Sequence, residues 1–156
     1  MPGPPLRPDA GATVPLSPIG YVETGYAHSG QTPPQSTLAY GEQGRVVLFE
    51  RFAEGLRGLA APQHVWLLTW LHDQSVEQSA PLQVVPRGWE GTGRTTGVFS
   101  TRAPHRHNRL GLSLVRLRAV EGNVVCFDGV DLVDGTPVLD IKPWSSTSDL
   151  PPEGQG

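Results

Sequence analysis

Two segments of the chain are rich in side chains that bind ligands or transfer protons. They are residues 97–113, GVFSTRAPHRHNRLGLS, and residues 131–144, DLVDGTPVLDIKPW. In the second segment, Asp140 lies two residues before Lys142, the only lysine of the chain. A carboxylate can act there as a base or an orienting group, and an ammonium can bind a carboxylate or a phosphate. The structural alternative for these two residues is an ion pair at the end of a strand.

Three other patterns have simpler explanations than a catalytic or metal site. The glycine-rich run 88–97 lacks the third glycine and the strand-to-helix context of a dinucleotide-binding fingerprint, so we interpret it as a flexible loop. His105 and His107 have no cysteine or carboxylate close by to complete a ligand set, so no metal is predicted. Ser113 is not flanked by the glycines of a nucleophile elbow, and nucleophilic catalysis has no support.

The elements that must position these residues are predicted to be mainly strands. Many short apolar runs separated by turns, with one small helix, indicate an antiparallel sheet or barrel. The predicted strands are 19–23, 46–49, 65–71, 82–85, 98–100, 110–120, 124–133 and 136–141, with a short helix over 49–59.

Some of these strands carry more specific expectations. The continuous apolar run 65–71 predicts a strand buried on both faces, with Trp66 and Trp70 packed in the core. Glu121-Gly122-Asn123 predicts a hairpin between two strands. Pro137 predicts that the last strand begins at a sheet edge, because proline cannot donate a ladder hydrogen bond.

The length and composition fit one domain between two tails. Residues 1–15 and 145–156 are rich in proline and polar residues and are predicted to be flexible, which leaves a domain over residues 16–144. No signal peptide and no apolar run long enough for a membrane span is present, so a cytoplasmic protein without membrane contact is expected.

Charge is distributed unevenly along the chain, whose net charge is −3. Residues 87–109 contain five arginines and two histidines against one glutamate, whereas residues 121–140 contain five acids and no base. Such segregation produces a local positive field on an acidic protein. Two solvated surfaces of opposite sign are the alternative interpretation.

The two dense segments resemble one family. The TrmO/TsaA-like family of tRNA adenosine N6-methyltransferases shows runs close to GVFATRSPFRPNPIGLS and DLLDGTPVLDIKPY, and the similarity extends over nearly all of residues 16–144. The resemblance implies a single antiparallel β barrel that binds S-adenosylmethionine, a homodimer with the cofactor pocket near the interface, and tRNA as partner. The implied activity is methylation of N6 in a threonylcarbamoyl-modified adenosine of the anticodon loop.

The resemblance also implies site residues. Those carried over as catalytic are Asp140, Lys142 and Asn108; those carried over as cofactor-binding are Gln35, His72, Arg102, Leu112, Ser113, Asp134, Gly135, Thr136 and Pro137. The chain departs from the family where Pro-Arg-Gln becomes Pro33-Pro34-Gln35, and where the two prolines of Arg-Pro-Asn-Pro-Ile become His107 and Arg109. Cofactor binding is therefore expected to be better preserved than the tRNA side.

Two alternative functions remain open at this point. The same fold and cofactor can serve a small-molecule or nucleotide acceptor, which the altered loop and modest charge favour. Alternatively, the chain binds S-adenosylmethionine without turnover, as a binding or regulatory module.

Overall fold

The structure, a computed structural model, describes residues 7–34, 41–73 and 80–154 of the chain. The strands are β1 (Gly20–Glu23), β2 (Gln43–Leu48), β3 (His64–Trp70), β4 (Gln83–Val84), β5 (Thr96–Gly97), β6 (Leu110–Glu121), β7 (Val124–Asp128) and β8 (Pro137–Pro143). The α-helix α1 is Ser146–Asp149, and 3₁₀ helices span Ser29–Gln31, Glu50–Leu56, Val98–Ser100 and Pro152–Gly154. Across the described part of the chain, no helix has the length and apolar character needed to cross a membrane.

Six strands form a closed barrel in the order β1-β2-β7-β6-β3-β8, and β4 pairs with β5 in a separate two-stranded sheet. Every pairing is antiparallel, and β8 closes the barrel by pairing with β1. This confirms the prediction of a mainly β protein with a single antiparallel barrel and one or two short helices. The hairpin predicted at Glu121-Gly122-Asn123 joins β6 and β7, with Gly122 at φ 61° as such a tight turn requires.

The barrel interior is filled by alternate residues of its strands, because successive side chains of a strand point to opposite faces. Valine predominates among them, and its branched side chain packs well in strands. The inward-facing apolar residues, almost fully buried, are Val22, Val46, Leu48, Val65, Leu67, Val115, Leu117, Val125, Phe127 and Val138.

The prediction that residues 65–71 are buried on both faces is wrong. In β3, Val65, Leu67 and Thr69 are buried, while the alternate residues are half-buried or exposed. Trp66 and Trp70 therefore lie on the outer face and not in the core. A closed barrel without covering helices has only one buried face, which a continuous apolar run does not reveal.

Three other predictions need correction. Val98–Ser100 is a 3₁₀ helix, and the strand there is β5, just before it. The strand that starts at Val124 ends at Asp128, because Gly129 adopts φ 100° and turns the chain away. Pro137 does not mark a sheet edge, because β8 pairs on both sides; the proline is accommodated as the first residue of the strand.

Part of the segment predicted as a C-terminal tail is folded against the barrel. The Ser145 side chain caps α1 by accepting a hydrogen bond from the Ser148 amide at 3.1 Å. The indole N–H of Trp66 donates to Asp149 Oδ1 at 3.2 Å, which places α1 beside the outer face of β3. The division of the chain into a domain and two flexible tails stays a prediction.

Gly20 lies where β1 approaches β2 most closely, and we expect its replacement by alanine to destabilise the barrel. A Cβ at this position would lie 2.2 Å from the Val47 carbonyl oxygen and 2.8 Å from Leu48 Cα, both main-chain atoms that cannot swing aside. Overpacking of this kind costs about 1–3 kcal/mol, which urea denaturation followed by circular dichroism would measure.

The matched control is Gly97→Ala in β5, where a Cβ would meet nothing within 4 Å. That variant should unfold at the same or a slightly higher urea concentration, because alanine restricts the unfolded chain. Equal stability of the two variants would contradict the close approach of β1 to β2.

Candidate functional site

The predicted site residues gather mainly at one end of the barrel. Strands β1 and β3 end there and β6 and β8 begin there, as the pairs Tyr21–Pro137 and Trp70–Leu110 show. We call the segments that meet there, residues 24–34, 71–73, 101–109 and 129–136, the loop end. His72, Arg102, Asn108, Asp134, Gly135 and Thr136 all lie in it, and Pro137 follows it directly.

The turn at Asp134 and Gly135 is fixed to the exit of β1. Asp134 Oδ1 accepts a hydrogen bond from the Thr24 amide at 3.0 Å, and the Asp134 amide donates to the Tyr26 carbonyl at 2.8 Å. The Gly135 amide donates to the Val22 carbonyl at 2.7 Å. Gly135 adopts φ 79°, so glycine both permits the turn and leaves its main chain accessible.

His72 lies beside this turn with an unpaired ring nitrogen. A Cβ on Gly135 would stand 3.8 Å from His72 Nε2, so the two residues are neighbours. His72 Nδ1 is buried and has no hydrogen-bond partner within residues 7–34, 41–73 and 80–154. The same holds for Thr69 Oγ1, near the end of strand β3. A buried polar atom without a partner costs about 1–3 kcal/mol, and a bound ligand or an ordered water is what supplies the missing partner in many proteins.

Two of the predicted cofactor-binding residues have side chains inside the protein. Ser113 is 3% exposed and donates its hydroxyl hydrogen to Asp131 Oδ1 at 2.7 Å. Thr136 is 2% exposed and donates to the Val133 carbonyl at 2.6 Å. Both hydroxyls are thus used to hold the segment that carries the Asp134 turn, and their contribution to a site is to position it.

The Arg106 side chain holds the loop that carries Arg102 and Asn108 through hydrogen bonds to its main chain. The Arg106 guanidinium Nη1 donates to the carbonyls of Thr101 at 2.9 Å and Ala103 at 3.2 Å. The loop is tied to the end of β3 by the Leu71 amide, which donates to the Arg109 carbonyl at 2.8 Å. Arg102 and Asn108 are both exposed on this loop.

Asp140 and Lys142 do not lie at the loop end. They project from the outer face of β8, where Asp140 stands opposite Leu68 and Lys142 opposite Trp66. Their charged groups are 3.6 Å apart and form the ion pair of the structural alternative; the Asp140 side chain is half exposed and that of Lys142 is exposed. Lys142 is five residues beyond Pro137, which corresponds to roughly 17 Å along a strand.

Leu112 belongs with the outer-face residues. It lies opposite Leu68 on the other side of β3, so Leu112, Leu68 and Asp140 form one row across three strands. Trp70, Leu110 and Leu112 are exposed by 46%, 47% and 51% on this surface. The structure therefore divides the predicted residues into a loop-end group around His72 and an outer-face group of Leu112, Asp140 and Lys142.

Gln35 lies outside the described residues. Thr24 and Asp131 support the loop end but were not among the predicted site residues. The Thr24 amide donates a hydrogen bond to Asp134, 110 positions further along the chain, and a single sequence does not indicate such a contact. Asp131, which accepts from Ser113, lies in the second of the two dense segments of the sequence. Within the described ranges, no group of three or more His, Cys, Asp or Glu side chains is arranged to hold a metal ion.

Comparisons with known proteins agree on one family. The sequence profile of the tRNA-methyltransferase O N-terminal domain matches residues 21–150. A Pseudomonas aeruginosa protein described as a putative S-adenosylmethionine-dependent methyltransferase, RcsF, is 43% identical over 136 residues, covering 86% of this chain and 58% of that protein. A mouse tRNA (adenine(37)-N6)-methyltransferase is 41% identical over 139 residues, covering 86% of this chain and 31% of the mouse protein.

A solved structure of TrmO from Pseudomonas aeruginosa superposes with a TM-score of 0.75 at 37% identity, covering 93% of this chain and 61% of the other. The chain thus spans less than two thirds of the length of these relatives.

Arg109 adopts φ 51°, a left-handed conformation that is uncommon for residues other than glycine. Proline cannot reach it, and the Arg109 amide also donates to the Arg106 carbonyl at 3.2 Å. We therefore expect Arg109→Pro, which restores a proline of the resembled family, to destabilise the protein by more than about 1 kcal/mol. Urea denaturation measures the change.

The control is Arg109→Gly, which removes the same side chain but accepts a positive φ. It should be clearly more stable than Arg109→Pro. A proline variant as stable as the glycine variant would show that this loop does not need the left-handed residue.

Proposed function

The chain belongs to the family of the tRNA-methyltransferase O N-terminal domain, and from this membership we propose that it methylates N6 of an adenosine in the tRNA anticodon loop with S-adenosylmethionine. We propose further that the acceptor adenosine carries a threonylcarbamoyl group. The observation that carries the proposal is the position of His72 beside the open main chain of Gly135, together with a buried His72 Nδ1 that has no hydrogen-bond partner among the described residues.

The residues of the loop end fit this cofactor. Gly135 offers exposed main chain without a Cβ, so a nucleoside can approach it closely, and the neighbouring His72 has a buried ring nitrogen that lacks a partner among the described residues. Thr136 and Ser113 hold this turn in place through their buried hydroxyls. When bound, S-adenosylmethionine supplies an electrophilic methyl group on a sulfonium.

The acceptor nitrogen needs orientation and the loss of a proton. An exocyclic adenine nitrogen is a poor nucleophile, but an attached carbamoyl group makes its N–H more acidic, so a carboxylate of ordinary basicity suffices. Asp140 is our candidate for this base or for an orienting carboxylate. Lys142 and Arg102 are candidates to bind the acceptor's carboxylate or a phosphate, and Asn108 to position the base.

A homodimer would bring the outer-face group of one subunit next to the loop-end group of the other. In one subunit, Asp140 lies on the outer face of β8 and His72 lies at the loop end. The outer face between them exposes Trp70, Leu110 and Leu112, an apolar surface of the kind that a second subunit covers. We propose that two copies pack through this surface, so that outer-face residues of one subunit complete the loop-end site of the other.

The first test is transfer of labelled methyl from S-adenosylmethionine to tRNA, compared between RNA with and without the threonylcarbamoyl modification. Incorporation only into modified RNA is the expected result. Incorporation into neither RNA, with cofactor binding intact, would contradict the tRNA assignment and favour a small-molecule acceptor or a non-catalytic binding protein.

His72→Ala tests the cofactor site directly. We expect cofactor affinity to fall about five- to tenfold, since a hydrogen bond of about 1–1.5 kcal/mol is removed from a buried site. Isothermal titration calorimetry measures the affinity. The control is His64→Ala at the opposite end of β3, which should bind S-adenosylmethionine like the parent; equal loss in both variants would count against a role of His72.

The dimer is tested by light scattering after gel filtration. The parent should have twice the mass of one chain, and Leu110→Asp, which places a charge in the apolar surface, should shift it toward the monomer. Val85→Asp, at a side chain of matched exposure (50%) away from β3 and β6, should leave the mass unchanged. A parent that is monomeric at all concentrations would refute the proposed assembly.

A further inference from the structure

The segment between β3 and β6 forms a hairpin outside the barrel. In it, Gln83 pairs with Gly97 and Val84 with Thr96, and the Val98 amide donates to the Leu82 carbonyl at 2.9 Å. We call residues 80–100 the hairpin arm. Its sheet is separate from that of the barrel. Val84 and Val98 are buried, so one side of the hairpin arm packs against other residues of the protein.

The tip of the hairpin arm has an internal hydrogen-bond network. The Gly88 amide donates to Glu90 Oε2 at 2.7 Å, and the Thr92 hydroxyl donates to the Trp89 carbonyl at 2.6 Å. The Arg94 guanidinium carbon lies 4.2 Å from the centre of the Trp89 ring, a cation–π stack. The arm therefore presents an arginine that is oriented by an aromatic ring.

Phe99 is the most exposed large apolar side chain in the described part of the protein, at 79%. Phe99 lies in the 3₁₀ helix Val98–Ser100, directly after the buried Val98. The amide and the hydroxyl of Thr101 both donate to the Val98 carbonyl, at 3.0 and 2.8 Å. These two hydrogen bonds close the main-chain turn that carries Phe99, while its ring faces solvent.

The charge of the segment that carries Phe99 favours one class of partner. The arm and the adjoining loop, residues 80–109, contain five arginines and a single acid, on a chain of net charge −3. Arg87, Arg94 and Arg102 are exposed there. Exposed aromatic rings among arginines match single-stranded nucleic acid, whose unstacked bases stack on the rings while the arginines face its phosphates.

Resting on the proposed tRNA acceptor, we propose that Phe99 is a stacking platform for an unpaired base of the RNA loop, and that Arg87 and the stacked Arg94 contact the adjacent phosphates. Phe99 stands three residues before Arg102, so a base on its ring lies at the edge of the loop end. The arm then selects a looped over a paired RNA, because bases inside a duplex have no free face to offer.

The test measures fluorescence anisotropy with a labelled RNA stem–loop and with a blunt duplex of the same stem sequence. Phe99→Leu keeps an apolar side chain but removes the aromatic face, and should weaken stem–loop binding about tenfold or more without changing duplex binding. Phe99→Trp should retain the parent affinity. Phe49→Leu, an exposed aromatic beside Tyr21 on another part of the surface, is the control and should bind both RNAs like the parent.

Three results would overturn the inference. They are unchanged stem–loop binding by Phe99→Leu, an equal loss with the duplex, and a change in the mass of the protein on light scattering, which would assign Phe99 to a contact between protein copies. Failure of the proposed function is distinguishable from these. Phe99-dependent RNA binding without methyl transfer would contradict the function alone, and methyl transfer together with unchanged stem–loop binding by Phe99→Leu would contradict the inference alone.

Discussion

Closure of the barrel depends on the pairing of β1 with β8, because these are the first and last strands of the sheet. The pairing is short: Gly20 aligns with Val138 and Tyr21 with Pro137, and the amides of Ile19 and Val22 add hydrogen bonds beyond the aligned pairs. The same contact anchors the turn at Gly135, whose amide donates to Val22. Without it, both strands would expose unpaired edges and the turn would lose its support.

A closed barrel of six strands also restricts where a ligand can bind. Among the described residues its interior is filled by side chains, the largest of them Phe127 and Leu67. His72 lies at the loop end and Asp140 on the outer face, so the division between them follows from the architecture and not from a local irregularity.

The sequence predicts the periodic and local features of this fold. The two strands around the turn at Gly122, and the turn itself, follow from short-range patterns. The face on which Asp140 and Lys142 lie depends on the register of β8 against β3, and a single sequence does not contain the register.

Features that depend on distant partners could not be predicted. The burial of Ser113 depends on its position facing the interior, and its bond to Asp131 requires two strands to be placed first. The left-handed conformation of Arg109 has no sequence signal, because arginine is not among the residues that favour it. The outer position of Trp70 likewise follows only from closure, since an apolar run of that length fits buried strands equally well.

The separation of the hairpin arm from the barrel sheet has a consequence for how proteins of this kind diverge. Because β4 and β5 pair only with each other among the described strands, a substitution at the exposed tip disturbs no described ladder that closes the barrel. Mutations there are therefore tolerated at small cost in global stability, unlike those at Gly20 or Gly135. Selection can thus alter what the arm contacts from one lineage to the next while the barrel and its loop end stay the same.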